Sequence, residues 1–477
     1  MGLGQQPTKE LEMKCFACPN QTLGSISSQP QNMAILELVL LAAVPTFFLV
    51  VFVWAVFEHF LTADVPSTIH HPAKFRFLHC IFLYVIALIH FAQLPQTGCC
   101  FGKRFWEEKS ENLSPYLDEP RNHCFPGTVF EKLGICSMPK FFRFLHDITT
   151  IKKDLHVAVT NLRFGTIPVR LFQPKAASSS PRRGIIFYHG GGGVFGSLDC
   201  YHNVCSFLAQ ETDSVLLSVG YRMLPDHHSP SISRDCLNAS IHFLKGLEAY
   251  EVDPSRVVAC GDSAGGWVAA MITQTLVGRS DLPRIRAQVM IYPIVQAVNL
   301  QLPSYQQNQN VPFFSQKLIL TCLCNYLAID ESWKEAILNG AYIPPDAWRK
   351  YRKWVSSDNI PKKFKNRGHQ PRSPSPFNEA AYLETKHILD VENSPLLADD
   401  ETIARLPEAF LVSCENDILR DDTLLYKKRL EDQGVPVTWY HVDDGFHGCL
   451  NLFDNKTFSF PCSLKIVNAL VSYIKGI

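Results

Sequence analysis

The sequence predicts an α/β fold: a mostly parallel central sheet with helices packed on both faces. Three observations lead there. From residue 157 onward, short β-branched or apolar runs alternate with segments of helical spacing, the pattern of strands joined by crossover helices. A Gly261-Asp262-Ser263-Ala264-Gly265 pentad sits where one such strand turns into a helix. The later strands 409–413 and 437–441 are followed by loops carrying Asp417 and His447, at the strand C-terminal ends where open α/β sheets collect functional groups.

Taken in order, the elements begin with a polar tail over residues 1–32 and an anchor over 33–58. Residues 38–57 carry no charge and are numerous enough to cross a bilayer as a helix, while no basic n-region precedes them as in a cleaved signal peptide. A membrane-proximal and cap region follows over 59–150, with an irregular, cysteine-containing insertion near 96–126. Its second apolar run, 77–94, includes His79, His90 and Gln93, and is read as lying against the membrane or roofing a pocket rather than spanning. The main domain, 151–477, has strands expected at 169–172, 184–188, 215–219, 257–260, 289–292, 409–413 and 437–441. Helices are expected at 201–210, 232–247, 265–276, 422–433 and 464–474. One excursion, about 297–385 with a helix at 316–328, interrupts the alternation and suits a helical cap. The basic stretch 348–372 reads as a solvated loop.

Composition narrows the function classes. Lys plus Arg and Asp plus Glu both number 45 in 477 residues, so the net charge gives no footprint for nucleic acid. The 16 cysteines lack paired zinc spacing, and no metal is expected.

The pentad G-x-S-x-G between strand and helix is the context of a nucleophile elbow, which lifts the serine hydroxyl clear of the sheet. A serine nucleophile needs a base, and the base needs an orienting carboxylate. Asp417 falls just past the strand 409–413, and His447 falls in the loop after 437–441. The order Ser263, Asp417, His447 is that of the α/β-hydrolases. Glu415 and Asp421 compete for the acid, whereas His441 lies within a strand and is a poor base.

Residues 188–195 read YHGGGGVF, and 191–196 also fit the dinucleotide fingerprint G-x-G-x-x-G. That reading requires an acidic residue at the end of the next strand. The strand 215–219 ends instead in Gly220-Tyr221-Arg222, and no Lys-Ser or Lys-Thr follows the glycines as in a P-loop. Bare backbone N–H groups aimed at a developing alkoxide, an oxyanion hole, remain as the use of the run.

With Tyr221-Arg222-Met223-Leu224-Pro225-Asp226, Asp417-Ile418-Leu419-Arg420-Asp421-Asp422 and Asp444-Gly445-Phe446-His447-Gly448, these motifs resemble the hormone-sensitive-lipase group of α/β-hydrolases, and more closely the arylacetamide deacetylase-like membrane esterases. The resemblance runs from about residue 157 to the C-terminus. It implies an α/β-hydrolase fold with a helical cap and a transmembrane anchor, and a serine carboxylesterase or lipase-like hydrolase that needs no cofactor. It assigns Ser263 as nucleophile, His447 as base and acid, and Asp417 as orienter. His189-Gly190-Gly191-Gly192 is the oxyanion motif, with Gly191, Gly192 and Ala264 as the N–H donors, and Arg222 braces the core. It further implies a single-pass protein of the endoplasmic reticulum membrane with a lumenal catalytic domain, and the apolar cap segments and adjacent membrane suggest a hydrophobic ester, an arylamide or a neutral lipid ester as substrate. The sequons at Asn238 and Asn455 are candidate N-glycosylation sites compatible with that side. One departure is Gly193, where the family usually has an aromatic residue. A second reading keeps the fold without catalysis, as a lipid- or partner-binding protein, which loss of a triad residue would favour.

Overall fold

A computed structural model of the protein describes residues 65–80, 156–365, 375–454 and 459–477, with single residues at 46, 53, 140, 143, 147 and 152. The anchor 33–58 (Thr46 and Val53 apart), the insertion 96–126, the run 77–94 beyond residue 80, and Asn455 lie outside the described residues. Among the described residues no helix is long and apolar enough to cross a membrane. The elements below belong to the unit Val56–Ile477.

Eight strands make one sheet: β1 (Val157–Phe164), β2 (Ile167–Pro174), β3 (Arg182–Tyr188), β4 (Ser214–Val219), β5 (Val252–Asp262), β6 (Ala287–Ile291), β7 (Glu408–Asn416) and β8 (Val437–Phe446). Their order is β1-β2-β4-β3-β5-β6-β7-β8. β1 and β2 form a hairpin, β2 runs antiparallel to β4, and every pairing from β4 to β8 is parallel. This is an α/β-hydrolase arrangement, and the seven expected strands all lie within or across observed ones. β1 was not among them. As an edge strand it buries only its two end residues, Val157 and Phe164, so its sequence lacks the apolar alternation that reveals the others.

The central strands are apolar on both faces because both are covered. Ile186, Leu217, Val257, Ala259 and Leu411 face one core, packed against α2 (Ser231–Lys245), α3 (Ala264–Leu276) and α6 (Arg420–Glu431). Ile185, Phe187, Leu216, Val258 and Val412 face the other, under α1 (His202–Thr212) and α7 (Pro461–Lys475).

Between β6 and β7 the chain leaves the sheet through α4 (Gln316–Leu327) and α5 (Pro345–Val355). α4 starts where the Ser315 hydroxyl accepts from Leu318 N–H and stops at Ala328, which is left-handed. α5 corrects the expectation of a loop from residue 348. Ala347, Trp348, Tyr351 and Trp354 recur at helical spacing and pack on the core, while Arg349, Arg352 and Lys353 face solvent. The charge is solvated as expected, but on the outer face of an amphipathic helix.

Candidate active site

Ser263 caps α3 directly after β5 with φ 54° and ψ −118°, a strained conformation set by the turn around it. The turn closes only because Gly265 has no side chain: a Cβ there would lie 2.0 Å from the Tyr188 carbonyl oxygen. The backbone so compressed leaves Ser263 Oγ 2.8 Å from His447 Nε2. His447 follows β8, and its Nδ1 lies 2.9 Å from Oδ2 of Asp417, which follows β7. The other carboxylate oxygen of the fully buried Asp417 accepts the Leu419 N–H at 2.8 Å. Three residues separated by 154 and 30 positions are thus brought together by the parallel strands β5, β7 and β8 ending on one edge of the sheet.

The glycine run leaves β3 on the same edge. Gly191, Gly192 and Gly193 all have positive φ, at 106°, 61° and 72°. Among the described residues, the N–H groups of Gly191 and Gly192 have no hydrogen-bond partner, and neither does that of Ala264 at the first turn of α3. The planar trans peptide explains how they are aimed, since each C=O is antiparallel to the following N–H. The Gly190 carbonyl lies 2.9 Å from His189 Nδ1, which turns the Gly191 N–H the opposite way. The Gly191 carbonyl accepts from Val194 and Phe195 N–H at 3.0 and 2.8 Å, which likewise turns out the Gly192 N–H.

His189 and Gly190 therefore differ from the two glycines after them. The Gly190 N–H is already used, donating to Asp262 Oδ1 at 2.8 Å. His189 is fully buried, stacked 4.2 Å from the Tyr221 ring, and its Nε2 has no partner among the described residues. Burial holds its pKa down to about 4, so the ring is neutral near pH 7. Burial also raises Asp262 to about 6, opposed by hydrogen bonds from Tyr201 and the Gly190 N–H. Arg222 forks onto Asp235 at 2.9 and 2.8 Å, away from the triad.

The competing acids are used elsewhere. Glu415 Oε2 lies 3.0 Å from His441 Nε2, and Asp421 takes Arg420 Nε at 3.0 Å and the Ser304 N–H at 2.7 Å. His441 Nδ1 in turn lies 2.9 Å from Ser413 Oγ, so Ser413, His441 and Glu415 repeat the triad's composition inside the sheet. That serine is fully buried and also accepts the Trp439 indole N–H, which leaves it no approach for a substrate.

Two residues on the cap excursion reach the site without a sequence signal. Phe314 stacks on the His447 ring at 3.9 Å and 13°. Cys322 of α4 stands over the glycine loop, where a Cβ on Gly192 would lie 2.9 Å from its sulfur. Burial pushes the Cys322 thiol up to about 12 and keeps it protonated. Among the described residues no group of three or more His, Cys, Asp or Glu side chains could hold a metal. Asn238 is exposed on α2.

A family model described as alpha/beta hydrolase fold matches residues 185–353 and 348–451. Human arylacetamide deacetylase-like 4 is 70% identical over 93% of this chain and 100% of its own length. Human arylacetamide deacetylase-like 3 is 50% identical over 93% and 99%. Bovine arylacetamide deacetylase is 38% identical over 64% and 77%. Among solved structures, an esterase of Pyrobaculum calidifontis superposes with a TM-score of 0.52 at 22% identity, covering 71% of this chain and 92% of that one. The chain belongs to the arylacetamide deacetylase-like family, within the hormone-sensitive-lipase group of α/β hydrolases.

Proposed function

We propose that this protein is a membrane-anchored serine hydrolase that cleaves carboxyl esters through an acyl-enzyme. The unbroken chain of hydrogen-bond distances from Ser263 Oγ through His447 to Asp417, 2.8 and 2.9 Å, carries the reading. Ser263 Oγ attacks the ester carbonyl while His447 Nε2 takes its proton, and Asp417 holds the resulting imidazolium in place. The N–H groups of Gly191, Gly192 and Ala264 hold the oxyanion, each worth about 2.7–4 kcal/mol in the transition state. His447 then returns the proton to the departing alcohol. Water attacks the acyl-Ser263, passes its proton to His447, and the acid leaves as Ser263 recovers its own.

Phe314, Cys322 and the apolar N-terminal run favour a hydrophobic ester, an arylamide or a neutral lipid ester as substrate. The uncharged residues 38–57 support a single-pass anchor, and the likeness to the arylacetamide deacetylase-like esterases favours a catalytic unit in the endoplasmic reticulum lumen. The test is hydrolysis of p-nitrophenyl esters of increasing acyl length by microsomes carrying wild type or Ser263→Ala. Equal rates on every ester would refute the enzyme reading. A glycosidase mobility shift lost on replacing Asn238 and Asn455 would place the domain in the lumen.

A further inference from the structure

The glycine loop is gripped from a part of the chain that precedes the sheet. Lys140, Arg143 and Asp147 are each helical. All three reach the loops beside Ser263. Lys140 Nζ lies 2.8 Å from Asp226 Oδ2, and Asp147 accepts a hydrogen bond from the Ser197 hydroxyl. Arg143 reaches furthest in: its Nη1 donates to the Val194 carbonyl at 3.1 Å and the Leu224 carbonyl at 3.2 Å. Lys152 continues the contact, 2.7 Å from Asp199 Oδ1.

The Val194 contact connects to the oxyanion hole through two peptide planes. With its C=O held by the guanidinium, the trans peptide 194–195 must direct the Phe195 N–H the opposite way. That N–H donates to the Gly191 carbonyl at 2.8 Å. The Gly191 carbonyl, so held, turns the Gly192 N–H out toward the position an oxyanion would occupy. The Leu224 contact closes a second arm, because Leu224 N–H donates to the Gly193 carbonyl at 2.9 Å. Val194 and Leu224 are both buried residues, so removing Arg143 would take a charged partner from two largely desolvated carbonyls. A cation at the head of such a chain also polarises each successive donor.

We propose that Arg143 is a positioning residue for the oxyanion hole, aiming the Gly192 N–H through the peptides 194–195 and 191–192. Gly193 fits this arrangement. At φ 72° with its carbonyl tied to Leu224, it lets the loop curl back under the arginine. Support that an aromatic side chain would give from within the loop comes here from an upstream cation.

The inference rests on the acyl-transfer reading of Ser263, and its test separates the two. Full-length wild type, Arg143→Met and Arg143→Lys are assayed on one p-nitrophenyl ester, with sites counted by fluorophosphonate titration. Because the hole acts on the transition state, kcat per titrated site should fall while KM stays within about twofold. The expected fall for Arg143→Met is roughly 10- to 100-fold, below the 10²–10³ seen when a hole donor is deleted outright. Arg143→Lys keeps the charge and should recover part of it. A merely structural arginine would lower the number of titrated sites and leave kcat per site unchanged, which overturns the proposal. A rise in KM alone overturns it too. If Arg143→Met does not fold, Arg143→Gln decides on the same readouts. An inert wild type would sink the enzyme reading itself, and this inference with it.

Discussion

His189 and Asp262 lie beneath the glycine loop with opposite pH dependences, and separating them tests how the loop is supported. His189 titrates at about 4 when folded against 6.5 unfolded, because burial disfavours its cation. Its neutral form therefore supports stability fully above pH 6.5, and that support is lost as pH falls toward 4. Asp262 behaves in reverse. Burial raises it from 3.8 to about 6, so the folded state takes up its proton first, and stability rises as pH falls from 6 toward 3.8. At about 1.4 kcal/mol per pH unit, each displacement corresponds to roughly 3 kcal/mol, and in wild type the two offset each other. Single substitutions should unmask them. Between pH 6.5 and 4, Asp262→Asn should lose roughly 3 kcal/mol relative to wild type, and His189→Gln should gain a similar amount. The measurement is urea unfolding of the full chain in detergent, followed by tryptophan fluorescence at half-unit pH steps. The substitutions also shift the absolute stability, so the slope with pH is what counts. If both variants follow the wild-type slope within about 0.5 kcal/mol, a neutral His189 over a protonatable Asp262 is the wrong account.

Other substitutions probe the remaining parts of the site. Asp417→Asn keeps the packing of a fully buried side chain but removes the anion beside His447 Nδ1, and should lower kcat on the order of 10³- to 10⁴-fold with little change in KM. Gly193→Ala forces a side chain into φ 72° with its Cβ 3.0 Å from Ile232, and should lose about 1–2 kcal/mol in thermal or urea unfolding. Phe314→Ala uncovers the His447 ring at 3.9 Å, and should reduce kcat/KM roughly 3- to 10-fold, most for long-acyl esters. An unchanged acyl-length profile in that variant would remove Phe314 from the substrate path.

Much of this architecture is legible in the residues alone, for physical reasons. Strands covered on both faces must be apolar throughout, which made β2 to β7 visible as short runs, while β8, at the other edge, showed by its β-branched and aromatic residues. The elbow requires glycine at close approach, and the order of serine, acid and histidine follows from parallel strands ending on one edge. What escaped detection lacks such local constraint. β1 is a solvated edge, and α5 hid its apolar spacing within a run of basic residues. Whether a given glycine donates or is already bonded depends on partners far away, as with Gly190 and Asp262, 72 residues apart. Phe314 and Arg143 reach the site through packing, and nothing in their own neighbourhood in the sequence marks them. The buried Ser413, His441 and Glu415 set carries the converse lesson: the right residue types at hydrogen-bond distance, with no approach and no hole.

The central claim is that Ser263 is a nucleophile made reactive by His447 and Asp417. Its most direct measurement is treatment of the full-length protein in microsomes with a fluorophosphonate, followed by peptide mapping of the adduct by mass spectrometry. The account requires one phosphonyl group on the peptide containing Ser263, slowed severely by His447→Ala and absent in Ser263→Ala. An intact, folded protein that takes no label, or takes it on another serine, would contradict it.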